Sequence, residues 1–255
     1  PQSLHSSLCI IGMPGIADIG KFAVDQLIGI FHAEKYCEII FNDYPAGAIV
    51  DDSVLSTPKA EVLFYKDPKE KQDLILITAD AQAMSPRGIY EISDFLAELI
   101  NKLGISKILA LGAYPINQNN SESIDIYITS TEEESLPKLF QNKILKKVKK
   151  GVIIGSNGLI PTLAKARFNI PGVVMLAETE KAAIMDDNFT DLQASVKLLE
   201  TAAKHYQLPI ENQFSDKKVN EISENLANKR KELEKDLDNI QPKINVKDSD
   251  RSLYI

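Results

Sequence analysis

Cysteine and histidine are scarce in this chain: two cysteines, Cys9 and Cys37, and three histidines, His5, His32 and His205, in 255 residues. Both cysteines stand in apolar, strand-like stretches with no further Cys or His at ligand spacing. They read as buried thiols in a reducing compartment and exclude a zinc motif. The histidines are scattered, with no pair at helical spacing, so a histidine-driven mechanism has no footing. A basic excess is missing as well. With 29 Lys and Arg against 36 Asp and Glu the net charge is −7, the wrong sign for a surface that tracks nucleic-acid phosphates. The one basic cluster, Lys143, Lys146, Lys147, Lys149 and Lys150, follows the acidic Glu132, Glu133 and Glu134 and reads as a solvated helix face. No stretch approaches the ~18 apolar residues of a membrane span, and no basic segment followed by a long apolar one opens the chain. A cytoplasmic protein is the expectation.

What is present suits an α/β body. A hydrophobic content of 44% is enough for a full core. Short apolar runs alternate with amphipathic helical patterns over residues 1–210, which predicts an α/β domain with a mixed or parallel central sheet flanked by helices. Strands are expected at 8–12, 37–42, 60–65, 74–78, 107–112, 124–129, 151–155 and 172–177. Asp18 is placed to cap a helix in which Phe22, Gln26 and Ile30 share one face, while Val24, Leu27 and Ile28 make it apolar nearly all round, the mark of a buried helix. A second helix starts at Pro86 and carries Ile89, Ile92, Phe95, Leu96, Leu99, Ile100 and Leu103 in one stripe before Gly104. A third runs from Asp191, with Leu192, Val196, Leu199, Ala203 and Tyr206 inward, to Leu208 before Pro209.

The composition changes in the remaining segment, 211–255. Residues 217–240 contain no Gly or Pro, and Val219, Leu226, Leu233 and Ile240 recur every seven residues, with Ile222 and Leu237 beside them. Lys229 and Asp236 interrupt the second seam. This predicts a helix about 36 Å long whose narrow apolar stripe either docks on the domain or pairs with a second copy. Residues 241–252 are polar, contain Pro242, and can extend ~40 Å as a flexible linker. Leu253, Tyr254 and Ile255 then stand in a segment that offers them no local core. Two aliphatic anchors, a rigid amphipathic ring and a carboxylate form a set suited to a pocket that captures C-terminal carboxylates.

Three stretches invite a chemical reading. Gly12-Met13-Pro14-Gly15-Ile16-Ala17-Asp18-Ile19-Gly20 lies between a strand and a helix, where backbone N–H groups cradle anions in other folds. It lacks the lysine and hydroxyl of a P-loop and the glycine spacing of a dinucleotide fingerprint, so a tight structural turn is the plainer reading. Gly155-Ser156-Asn157-Gly158-Leu159-Ile160-Pro161 offers Ser156 as a nucleophile, but the glycine spacing of a nucleophile elbow is absent. Thr78-Ala79-Asp80-Ala81-Gln82 sits at a strand's carboxyl end, where open sheets place ligands; capping of the next turn and helix is the alternative use of Asp80 and Gln82. Asp51-Asp52, Glu132-Glu133-Glu134 and Asp186-Asp187 have no third ligand in view and read as solvated carboxylates. No catalytic, cofactor or metal residue is assigned.

Taken in order, Gly12-Met13-Pro14-Gly15, Asp80-Ala81-Gln82, Leu111-Gly112-Ala113-Tyr114, Gly155-Ser156-Asn157-Gly158-Leu159 and Leu176-Ala177-Glu178-Thr179 resemble the proteasome assembly chaperone family over about residues 8–210. The Leu253-Tyr254-Ile255 ending is similar to the hydrophobic–tyrosine–any tail of archaeal members that dock on the proteasome. Ala113 departs from relatives that often have a second glycine there. The resemblance implies an architecture like that of purine nucleoside phosphorylases without the catalytic set, and a non-enzymatic chaperone or ATP-independent activator of 20S particles. It implies that the Ile255 carboxylate pairs with a lysine between neighbouring α-subunits, with Tyr254 packed along the pocket wall and Leu253 in apolar contact. It further implies a homo-oligomer, a tetramer in archaeal relatives, whose several tails bind together. The rival reading is an ATP-grasp-like carboxylate ligase or another small-ligand-binding α/β enzyme. An ATP-grasp site needs Mg²⁺-binding carboxylates with a basic phosphate-binding residue, and no such ordered set emerges.

Overall fold

Consecutive apolar residues without polar alternation form strands where both faces of a sheet are covered. The computed structural model of the chain, which describes residues 7–117, 123–136, 145–180 and 190–210, has ten strands among them. They are β1 (Leu8–Gly12), β2 (Glu34–Ile39), β3 (Ile49–Asp51), β4 (Val54–Ser56), β5 (Ala60–Tyr65), β6 (Leu74–Ala79), β7 (Lys107–Ile116), β8 (Ile126–Ser130), β9 (Leu145–Lys147) and β10 (Gly172–Glu180). Eight of them make one sheet in the order β2-β5-β6-β1-β7-β10-β8-β9, and β3 with β4 forms a separate hairpin. β6, β1, β7 and β10 run parallel at its centre; β5 and β8 are antiparallel to their inner neighbours. β1 and β6 are buried at every position, as strands inside a covered parallel sheet must be.

Among the described residues four α-helices supply the cover: α1 (Ile19–Phe31), α2 (Pro86–Lys102), α3 (Ser156–Phe168) and α4 (Leu192–Tyr206). α2 packs with α3, and α1 with α4, which also lies on β10. The strand period of two divides the core between these pairs. Cys9 and Ile11 of β1 and Ile75 and Ile77 of β6 share a cluster with Ile92, Leu96 and Ile100 of α2 and Ile160 of α3. The stripe read along α2 is one-sided as expected, with Ile92, Leu96 and Ile100 fully covered, but Phe95 is half exposed. Pro86 opens α2 and the Ser85 hydroxyl caps it by accepting from Gly88 N, while Asp191 caps α4 by accepting from Ala194 N. Such caps are worth about 1 kcal/mol each.

Four expectations need correction. Residues 151–155 have strand composition, but Gly155 turns at φ +91° to start α3 and the residues before it join no ladder. The edge strand β2 lies at Glu34–Ile39 rather than 37–42; its charged residues suit an exposed edge, and Lys35 and Lys59 pair there with Glu38 and Glu61. Lys146 and Lys147 belong to the short strand β9, not to a helix face. Asp18 stands before α1 in a left-handed conformation, φ 46°, with no side-chain cap bond to the helix. The chain divides into the units Pro1–Glu211 and Asn212–Ile255. The second unit lies outside the described residues, and so do the helix expected at 217–240, Leu253-Tyr254-Ile255, Asp186-Asp187 and Lys143.

Candidate functional site

The carboxyl ends of parallel strands are where open α/β sheets place ligands, and the topology brings the three marked stretches to that end. Residues 13–18 follow β1, residues 80–85 follow β6, and Gly155 precedes α3. Their polar groups are spent on one another. The Asn157 amide accepts from Met13 N at 2.9 Å and donates to Met13 O at 3.1 Å. The Gln82 amide donates to Pro14 O at 2.7 Å and accepts from Ser156 N at 3.3 Å. Two carboxamides thus stitch the β1 loop to the first turn of α3, each using a donor and an acceptor on main chain. A side chain at Gly155 would come within 2.8 Å of Gln82 Nε2, so a glycine, also free to take its positive φ, is required for the stitch.

Neighbouring carboxylates serve the same purpose. Asp80 accepts from Lys59 N at 3.0 Å and returns a bond from its own N to Lys59 O at 2.9 Å, tying the start of β5 to the end of β6. Asp43 accepts from Ser85 N at 2.8 Å and Ser85 Oγ at 2.9 Å, which positions the α2 cap. Asp191 accepts from Thr179 Oγ1 at 2.8 Å and donates its N to Ala17 O at 3.1 Å, clamping the β1 loop from the α4 side. Asp18 accepts from Gly15 N at 3.4 Å; burial raises its carboxyl above the usual range, with the Gly15 bond and Lys21 opposing. The Ser156 hydroxyl is buried and has no hydrogen-bond partner, so among the described residues no base stands in place to take its proton, as an activated serine requires. The two glycine stretches are structural turns in this arrangement. Gln82 bridges two loops instead of capping α2, a use that local sequence does not signal because both partners are distant in the chain.

Away from this end, Glu132, Glu133 and Glu134 line an open groove with Thr131 and Lys165. Lys165 pairs with Glu132 and holds its carboxyl below the usual range. Tyr114 and Tyr127 stack with ring centres 4.0 Å apart. Beside them the buried Glu178 accepts from Asp125 N at 3.3 Å, and burial raises the Tyr127 hydroxyl before its bond to Glu178 adds to that shift. Among the described residues no group of three His, Cys, Asp or Glu is gathered as a metal would need. No helix among them is long and apolar enough to cross a membrane.

Two outcomes follow from this geometry. Asn157→Ala leaves Met13 N and O unpaired in a buried place and costs about 2–3 kcal/mol, which for a chain of this size lowers Tm by about 5–10 °C; an unchanged calorimetric Tm would contradict the stitch. Burial raises the thiols of both Cys9 and Cys37, Cys9 most, since it is fully enclosed. An aromatic disulfide reagent at pH 8 is therefore expected to leave Cys9 unreacted until denaturant is added, and rapid reaction of two thiols per folded chain would refute the placement.

A protein of Methanocaldococcus jannaschii, itself uncharacterized, is 29% identical over 179 residues, which are 70% of this chain and 67% of that one. The fold is similar to Pyrococcus furiosus PbaB, an archaeal proteasome activator, with a TM-score of 0.75 and 22% identity over 92% of this chain and 94% of that one. It is similar also to Pyrococcus furiosus PbaA, an archaeal homolog of proteasome-assembly chaperone, with a TM-score of 0.70 and 20% identity over 93% and 92% of the two chains. At those identities the likeness establishes the architecture. The sequence pattern of the PAC2 family matches residues 9–234, a span that includes the β1 turn, the Gln82 bridge and the Asn157 stitch, and the chain belongs to the PAC2 family.

Proposed function

We propose that this protein is a non-enzymatic proteasome assembly chaperone or ATP-independent activator that docks Leu253-Tyr254-Ile255 into pockets between α-subunits of the 20S particle. The observation that carries the reading is the likeness of the fold to PbaB, a proteasome activator, over 92% of this chain, in a chain whose family pattern spans residues 9–234. The closed end of the sheet favours binding over catalysis, because the amides and carboxylates that a ligand would meet already hold main chain. Each tail binds weakly, since a few side chains must offset the ordering of a polar linker. A homo-oligomer with several tails gains avidity of about 10²–10⁴ when they engage together. The cytoplasm is the proposed compartment.

The test is peptide hydrolysis by purified 20S particles with and without the full chain, in the absence of nucleotide. Stimulation, or acceleration of α-ring assembly from subunits, is expected without ATP. ATP or nucleoside turnover by the protein alone, lost in Asp18→Ala with folding intact, would overturn the reading in favour of an enzyme.

A further inference from the structure

The fold leaves apolar side chains uncovered at the carboxyl end of the sheet. The β3–β4 hairpin pairs Val50 with Leu55 and Asp51 with Val54 and has no third strand among the described residues. Val50, Val54 and Leu55 are 65%, 66% and 71% exposed. A two-stranded ribbon standing alone is marginal in water, and both of its edges present unpaired N–H and C=O groups. The hairpin connects β2 to β5 where Ile39 pairs with Ala60 and Ala60 with Ala79, the last residue of β6.

At the same end lies the second uncovered element, residues 151–154, whose neighbour Gly155 abuts Gln82. Val152 and Ile154 are 87% and 86% exposed, while Ile153 between them packs on the core. That is strand alternation, yet no main-chain hydrogen bond satisfies the segment among the described residues. The two elements also complement each other in charge. Asp51 ends β3 and Asp52 starts the hairpin turn, Lys149 and Lys150 lead into 151–154, and all four are exposed.

We propose that the β3–β4 hairpin of one copy pairs with residues 149–154 of a second copy. Val50 and Leu55, paired on one face of the hairpin, cover Val152 and Ile154, and the hairpin carboxylates meet Lys149 and Lys150. Strand addition of this kind supplies the partner that both unpaired backbones lack, and unlike charges fix which elements meet. This deepens the homo-oligomer on which the proposed multivalent docking rests. It is measured without any 20S particle, so either can fail alone.

The experiment is sedimentation velocity on the full chain over a concentration series, with circular dichroism as a check on folding. Wild type is expected to self-associate. The pair Val50→Asp and Leu55→Asp should weaken association by about 100-fold or more, as removal of central apolar anchors does. Asp51→Lys with Asp52→Lys should dissociate the oligomer, and so should Lys149→Glu with Lys150→Glu; all four changes together keep the net charge and should restore it. A monomeric wild type, an unchanged oligomer in the hairpin variants, or no recovery in the fourfold reversal would overturn the proposal. So would an oligomer insensitive to these changes and lost on removing residues 212–255, which would make that segment the contact.

Discussion

Deletion of Leu253, Tyr254 and Ile255, or Tyr254→Ala alone, is expected to abolish retention of the protein on immobilised 20S particles and to leave folding and oligomer size unchanged. The separation between these effects comes from placement in the sequence. The three residues follow a polar stretch, 241–252, that holds Pro242, whereas the strands and helices of the body contribute Leu8, Ile10, Leu27, Leu74, Leu76 and Leu198 to its core, all of them buried. A buried aliphatic side chain contributes about 1.5–3 kcal/mol, and a tyrosine adds ring burial with a polar tip. One tail therefore loses at least ~2 kcal/mol with Tyr254→Ala, and several tails acting together multiply the loss. Stimulated peptide hydrolysis should vanish with it.

Gly20→Ala is expected to destabilise the body by about 4 kcal/mol or more, at the upper end for single substitutions. A Cβ there would lie 2.1 Å from Leu111 O and 2.7 Å from Leu111 C, while a Cβ at Gly12 would lie 2.1 Å from Gly20 O. These are backbone atoms of β7 and α1, which cannot swing aside as a side-chain end can. The helix must lift from the sheet, and the contacts of Ile19, Ala23, Val24 and Leu27, all wholly buried, are loosened together. Gly29 is the control. It lies in the same helix with open space around its Cβ position, and alanine there should stabilise by roughly 0.5–1 kcal/mol through helix propensity. Urea midpoints that move in opposite directions for the two variants support the packing; equal midpoints would falsify it.

The parts of the fold that were legible in the sequence are those decided locally. β1, β5, β6, β7 and β10 are apolar runs without helical spacing, and α2 carries a one-sided stripe with Pro86 at its start and Gly104 beyond its end, so burial and capping point the same way. Residues 151–155 misled because GVIIG meets every local criterion of a strand; what it lacks in the described body is a partner, and partners are non-local. The β3–β4 hairpin is written as Ile49-Val50-Asp51, a polar two-residue turn at Asp52-Ser53, and Val54-Leu55-Ser56, a turn signal flanked by apolar residues that could have been recognised. β9 was hidden because Lys146 and Lys147 sit at an exposed edge where charge is tolerated. Gln82 and Asn157 were visible as polar residues near glycines, but their partners Pro14 and Met13 are 68 and 144 residues away, a relation that spacing within one segment cannot express.

The most direct measurement is surface plasmon resonance on immobilised 20S particles, comparing the intact chain with one extended by a few residues after Ile255, at matched oligomer concentration. The extension keeps every side chain and moves only the terminal carboxylate, so docking through a carboxylate-capturing pocket predicts loss of binding. Equal binding by the intact and extended proteins would contradict it.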